Sequence, residues 1–275
     1  MAEPASAYIM GHTDRERSRL SLQGSILNPY TERFLRGAGI GSGMRVLDLG
    51  CGVGEVSLLI AGIVGPEGHV TGVDLDPVAL ELARTRAGEA GLSQAAFLET
   101  SLADFQPERQ FDAVTGRHIL VHTPDPPALV RKAASAVKLG GIVAFQEFDC
   151  LDFVPGYPRQ PLAENVSRWI TTAFRQNLPH ADCGNRIYHW LCEAGLKSVS
   201  VHGDVMIDGG PDSPFYNWIA ESLRSVMPLV EAAGIATAAE IDIDTLPARL
   251  REEAVACNGS TPGAVMIGAH GRVAL

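Results

Sequence analysis

The run Arg45-Val-Leu-Asp-Leu-Gly-Cys-Gly-Val-Gly54 limits this chain more than any other: a short apolar stretch meets an acidic residue and then three glycines. Glycine reaches φ > 0 without steric penalty and lets a backbone approach a ligand closely, so the run reads as a strand, a tight turn and a helix N-terminus. Residues 55–64 carry the apolar spacing of a buried helix and complete the unit. A second run, His69-Val-Thr-Gly-Val-Asp74, reads as a strand that also ends on a carboxylate. A carboxylate there can accept both hydroxyls of a ribose. Two such turns at neighbouring strand ends frame a nucleoside.

A dinucleotide site asks for Gly-x-Gly-x-x-Gly, the third glycine admitting close packing while the helix N-terminus meets a pyrophosphate. Here that third position is Glu55. Its carboxylate would repel a pyrophosphate, whereas a ligand carrying a sulfonium or ammonium tolerates it. Asp48, just before the turn, adds negative charge to the same place. A nicotinamide-dependent oxidoreductase stays open as an alternative, because it too places an acidic residue after its second strand.

The paired motifs Val46-Leu-Asp-Leu-Gly-Cys-Gly-Val-Gly54 and Gly72-Val-Asp-Leu-Asp-Pro77 resemble those of the class I S-adenosylmethionine-dependent methyltransferases. The likeness is to their small-molecule branch, which includes the ubiquinone and menaquinone C-methyltransferases, and it covers about residues 8–200. The resemblance implies a doubly wound, mostly parallel seven-stranded α/β sheet of Rossmann-like type, with S-adenosyl-L-methionine as cofactor. It assigns Gly50 and Gly52 to the methionyl part, Asp74 to the ribose and the Ser101-Leu102 pair to adenine. Ser101 stands where the family more often has Asp; its hydroxyl can still accept a hydrogen bond from the adenine amino group. The family's N-terminal helices fold over the cofactor, which brings Tyr8, Arg19 and Gln23 toward it.

The rest of the chain repeats the alternation. Residues 95–99, 111–115 and 142–148 read as further strands, with a helix from Asp76-Pro77 to Gly91 and another from Asp125-Pro126 to Gly140-Gly141. Strands alternating with helices predict a parallel sheet covered on both faces. Before the first strand, residues 14–38 carry apolar positions at helical intervals, and Pro29 divides them into two helices. Helices at 161–177 and 185–194 lead into a sixth strand at 198–202, and a last strand is expected at 264–270. In the resembling family a short hairpin joins these two strands; here about sixty residues intervene, with helices at 214–233 and 244–257. The expected division is therefore an N-terminal helical cap (1–40), a cofactor-binding core (41–205), a helical lid insert (206–263) and a last core strand (264–275).

In open parallel sheets the ligand sits beyond the carboxyl ends of the strands, where strand order reverses. That rule adds Leu75, Arg117 and His118 to the cofactor candidates. Methyl transfer from a sulfonium is an in-line displacement, so holding the nucleophile close supplies roughly 7 to 11 kcal/mol and a base matters only where the nucleophile must lose a proton. His122 and Glu147 are the candidate bases, with His118 and Asp149 nearby. Asp48 and Asp74 also have a structural reading, as cap or turn acceptors. His118 and His122 are four apart, but Thr123-Pro124-Asp125-Pro126 argues for a loop and no third ligand follows, so no metal site is expected.

A net charge of -10 and the lack of a basic face argue against nucleic-acid partners and favour a small-molecule acceptor reacting at O, N or C. Five cysteines form neither a disulfide framework nor a zinc ribbon, and the longest apolar run, 56–64, is too short for a bilayer. A cytoplasmic protein away from membranes is the expectation, with oligomeric state left open. A protein that binds the cofactor without methylating, such as a cyclase or sensor, is the third functional class consistent with these motifs.

Overall fold

The central strands form where β-branched and apolar residues dominate short buried runs, and the helices opening at Pro77 and Pro126 each follow an aspartate N-cap. A computed structural model describes residues 14–102, 104–106, 110–150 and 154–275. In chain order the elements begin with α1 (Asp14–Ala38), β1 (Arg45–Leu49), α2 (Glu55–Val64), β2 (His69–Asp74), α3 (Pro77–Glu89) and β3 (Ala95–Glu99). Then follow β4 (Phe111–Arg117), a single 3-10 turn (Leu120–His122), α4 (Pro126–Ser135), β5 (Val137–Asp149), α5 (Pro161–Asn177) and α6 (Cys183–Glu193). The chain closes with β6 (Lys197–Gly209), α7 (Phe215–Ala232), α8 (Ala238–Ile241), α9 (Leu246–Ala256) and β7 (Ser260–Arg272).

The seven strands lie in the order β3-β2-β1-β4-β5-β7-β6. All neighbours are parallel except β7, which runs antiparallel to both β5 and β6. Strand order reverses between β1 and β4, which fixes where a crevice can open. Val46, Leu47, Val70, Val73, Ala113 and Val114 are buried, as a sheet covered by helices on both faces requires. Asp76 accepts from Val78 N (2.9 Å) and Asp125 from Ala128 N (2.9 Å), so both expected N-caps form ahead of their prolines. A further core sits above the sheet, where Ile26 and Leu27 of α1 meet Val166 and Ala173 of α5, Leu223 and Val226 of α7, and Leu250 of α9.

Three local expectations are corrected. Pro29 lies inside the continuous helix α1 instead of dividing it. Ile26 and Leu27 on one side of it pack into the upper core and Phe34 and Leu35 on the other into the sheet core, and that burial outweighs the ~3 kcal/mol helix-interior penalty of proline. Gly140-Gly141 does not end a helix: α4 stops at Ser135 and the pair sits inside β5. Between the pairs Phe111↔Val137 and Ala113↔Ile142 the register shifts, and a Cβ on Gly141 would lie 2.6 Å from Asp112 O, so the glycines serve a bulge. Finally, β6 and β7 run on past the expected ends, pairing Gly209 with Ser260 and shifting register between Val205 and Ile207, opposite Pro262. The insert between them thus begins after Gly209, and it holds the short α8 as well as α7 and α9.

Gly72 pairs with Asp48 in the centre of the sheet, and a Cβ there would meet Ser57 Oγ at 2.8 Å and Cys51 Sγ at 2.9 Å. Gly72→Ala is expected to lower stability by about 1–3 kcal/mol through overpacking, read as a fall in the urea midpoint at constant slope. Among the described residues no helix is long and apolar enough to cross a membrane.

Candidate active site

A cavity of about 1070 Å³ opens at the carboxyl ends of β1, β2, β4 and β5, with α1, α5 and α7 over it. Its wall carries Gln23, Asp48, Gly50, Gly52, Asp74, Leu75, Leu102, Arg117, His118, His122 and Glu147, the sequence-expected site residues apart from Ser101. The Ser101 hydroxyl donates to Asp104 Oδ2 (2.6 Å) and accepts from Asp104 N (2.9 Å), closing a local turn instead. Tyr8 lies outside the described residues.

The glycine turn is built for close approach. Gly50, Gly52 and Gly54 take φ of +67°, +50° and +84°. A Cβ on Gly52 would meet nothing within 4 Å, whereas one on Gly50 would lie 2.5 Å from Ile119 Cδ1. Gly52 therefore leaves bare backbone toward the cavity, and Gly50 makes room for the loop after β4. Asp74 ties the two turns together: Oδ2 accepts from Gly52 N (2.7 Å) and Oδ1 from Asp76 N (3.0 Å). Each carboxylate oxygen still has a lone pair to offer a ligand hydroxyl.

Below the turn the charges are buried together. Asp48 accepts from Ser57 Oγ (2.6 Å), and burial pushes its carboxyl up to about 7 despite that bond and the nearby Arg117 charge. Burial pulls Arg117 down to about 10, with Asp48 and Glu55 opposing the fall. Its guanidinium donates to Asn28 Oδ1 (3.0 Å) and Thr31 Oγ1 (2.9 Å) of α1. Glu55 pairs with Arg86 (2.6 Å) under the close packing of Gly24, where a Cβ would lie 2.2 Å from Glu55 Oε2.

At the end of β4 the chain turns sharply: His118 takes φ +55°, a left-handed value that side chains other than glycine adopt at a cost. Glu147 at the end of β5 is fully buried and accepts from Ile119 N (2.8 Å) and Leu120 N (2.7 Å) on one oxygen. The Cys183 thiol donates to the other at 3.7 Å. Burial raises the Glu147 carboxyl to about 7, against those hydrogen bonds. Glu147 thus caps the 3-10 turn that carries His122, whose ring burial lowers to about 4 and keeps neutral at pH 7.

Residues 40–195 match the methyltransferase-domain family, more than half of the chain. The chain belongs to that family. The ubiquinone biosynthesis O-methyltransferase of Idiomarina loihiensis is 42% identical over 166 residues, covering 58% of this chain and 65% of that protein. Its counterpart from Xanthomonas axonopodis is 38% identical over 190 residues, covering 64% of this chain and 72% of that one. This chain therefore spans just under two-thirds of the Idiomarina protein's length. The YcgJ protein of Bacillus subtilis shares the fold, with a TM-score of 0.55 at 17% identity over 88% of this chain and 96% of that one.

The cofactor of this methyltransferase-family chain is S-adenosylmethionine, and the residues present fit it. Open backbone at Gly52 suits the close-lying methionyl part, and the remaining lone pairs of Asp74 suit two ribose hydroxyls. Leu75 is 57% exposed on the cavity rim beside Asp74 and Leu102 stands on the same wall, leaving apolar surface for a base. The dinucleotide alternative gives way to the methyltransferase-domain match over residues 40–195.

Sequence reasoning missed most of a buried polar chain on the cavity roof. Glu16 takes both Arg19 Nε (2.8 Å) and Arg19 Nη2 (2.6 Å), and it also accepts from Ser225 Oγ of α7 (2.8 Å). Arg19 Nη1 donates to Gln23 Oε1 (2.7 Å), which also accepts from Trp218 Nε1 (3.3 Å). Glu16, Arg19 and Gln23 lie three and four apart, one face of α1, and that spacing was the available signal.

Proposed function

We propose that this chain is an S-adenosylmethionine-dependent O-methyltransferase acting on a small, largely apolar acceptor with a ring. The observation that carries the reading is the continuity of one cavity, from the Gly52–Asp74 turns to a chamber walled by Phe148, Phe174, Ile170, Trp218 and Ile219. Support for oxygen as the accepting atom comes from the relatives' names. When bound, the cofactor supplies an electrophilic methyl group on a sulfonium. Phe148 and Trp218, their ring centroids 6.1 Å apart, offer edges and faces against which an acceptor ring can be held. Holding the acceptor against these rings fixes the nucleophile's approach, which is where most of the rate enhancement originates. In this reading His122, its ring kept neutral at pH 7 by burial, is the group that takes the hydroxyl proton, and Glu147 holds the turn on which it stands. The five free thiols are in keeping with a reducing cytoplasm.

The test is transfer of a labelled methyl group from S-adenosylmethionine to a panel of phenols, aryl amines and carbon acids of matched size. Label in the phenols is the expected result. Label confined to the amines or carbon acids would replace the accepting atom. Bound cofactor without transfer to any member would leave a cofactor-binding protein that does not methylate.

A further inference from the structure

The geometry points to His118 as a hydrogen-bond donor, locked in its Nε2–H tautomer by α1 and the insert, that receives an oxygen of the acceptor substrate. The inference rests on the reading of the chamber as an acceptor site. It assigns His118 to substrate recognition and not to proton removal.

The lock is built from groups that can only donate. Arg19 and the Trp218 indole both donate to Gln23 Oε1, and neither can accept. Turning the Gln23 amide over would set its NH₂ against both donors, so its orientation is fixed with the NH₂ toward His118. That NH₂ stands 3.4 Å from His118 Nδ1. Facing a donor, Nδ1 must be the lone-pair nitrogen, and the ring proton of a neutral imidazole then belongs to Nε2. Burial, with the positive charges of Arg117 and Arg19 adding to it, holds the ring well below the ordinary histidine range and keeps it neutral.

The other end of the ring has nothing to bind. His118 Nε2 is shielded from solvent and makes no hydrogen bond. A donor buried in this way loses its water without recompense unless an acceptor arrives. The ring lies on the cavity wall, stacked on Phe148 with centroids 4.1 Å apart and planes at 27°. It is also held by a left-handed backbone, φ +55°, that orients it against local preference. A phenolate or carbonyl oxygen on a ring held in the chamber supplies the missing acceptor. Arg19 and Gln23 are positioning residues in this scheme, because they act only through the imidazole.

Long-range proton–nitrogen NMR of histidine-labelled protein reads the tautomer directly, without cofactor or turnover. The expected spectrum at neutral pH shows His118 protonated on Nε2 alone. Gln23→Glu replaces the amide donor with an acceptor and is expected to move the proton to Nδ1. A wild-type Nδ1–H tautomer or an imidazolium would overturn the inference. The second arm titrates 4-nitrophenol into protein saturated with S-adenosylhomocysteine and follows phenolate absorbance. Wild type is expected to favour the bound phenolate over the phenol by about tenfold, His118→Phe to lose that preference, and His118→Gln, which keeps a donor at the Nε2 position, to retain part of it. Equal preference in wild type and His118→Phe, or no binding of the probe, would also overturn it. Phenol methylation alongside such a result would leave the proposed function standing and remove only the role of His118.

Discussion

Asp74→Ala is expected to weaken S-adenosylhomocysteine binding by roughly a hundredfold, about 3 kcal/mol, while leaving the protein folded. The carboxylate does two things at once. It fixes the Gly52 and Asp76 amides at 2.7 and 3.0 Å, and it presents a remaining lone pair on each oxygen. Alanine removes the ligand acceptor and releases both turns. Asp74→Asn is instructive because it keeps the shape, yet one of its two positions becomes an NH₂ that must face a backbone donor. It is therefore expected to be nearly as damaging as alanine. Titration calorimetry measures both, and unchanged affinity in the alanine variant would remove Asp74 from the ribose site.

The second large effect concerns Glu147, and its sign depends on pH. Its carboxyl titrates near 4.5 when unfolded and near 7 in the fold, because burial penalises the charge. The native state holds a proton that the unfolded chain has released, so stability is greatest below pH 4.5, falls as pH rises toward 7, and levels off above it. At about 1.4 kcal/mol per pH unit the loss amounts to roughly 3 kcal/mol from this residue. Glu147→Gln should abolish that share of the slope, since its amide oxygen still accepts from Ile119 N and Leu120 N. Asp48, also raised to about 7, leaves a residual slope in the same direction. Glu147→Ala strands both buried amides and is expected to cost about 3 kcal/mol or more at pH 5. Chemical denaturation at pH 5 and pH 8 separates the three proteins. A slope in Glu147→Gln as steep as wild type would show that this carboxylate is ionised in the native state throughout.

The strands and their acidic ends were legible because they depend on local chemistry. A glycine needed for φ > 0 and a carboxylate at a strand terminus announce themselves in a few residues, and Gly52 with Asp74 stand where the spacing put them. Features decided by distant partners were not legible. Pro29 reads as a break until Ile26, Leu27, Phe34 and Leu35 are seen packed on both sides of it. Gly140-Gly141 carries the same letters for a helix end as for a strand bulge, and the neighbouring backbone of Asp112 decides between them. Arg19 and Gln23 come toward the cofactor only through the resemblance, and Glu16 not at all, because nothing in their own segment reveals Trp218 and Ser225, some two hundred positions later. Ser101 is a polar residue that sequence places at the adenine position, and its hydrogen bond to Asp104, three residues on, becomes visible only in the folded turn. Glu147 reads as a candidate base from its place after a strand, and its capping of the turn after β4 becomes visible only across the sheet.

A crystal structure of the full chain with S-adenosylhomocysteine tests the central claim most directly. The ribose hydroxyls are predicted on Asp74, the homocysteine backbone against Gly52, and the sulfur facing the chamber bounded by Phe148 and Trp218. A nucleoside bound elsewhere, with Asp74 still holding only Gly52 and Asp76, would contradict the account of this site and of the chemistry built on it.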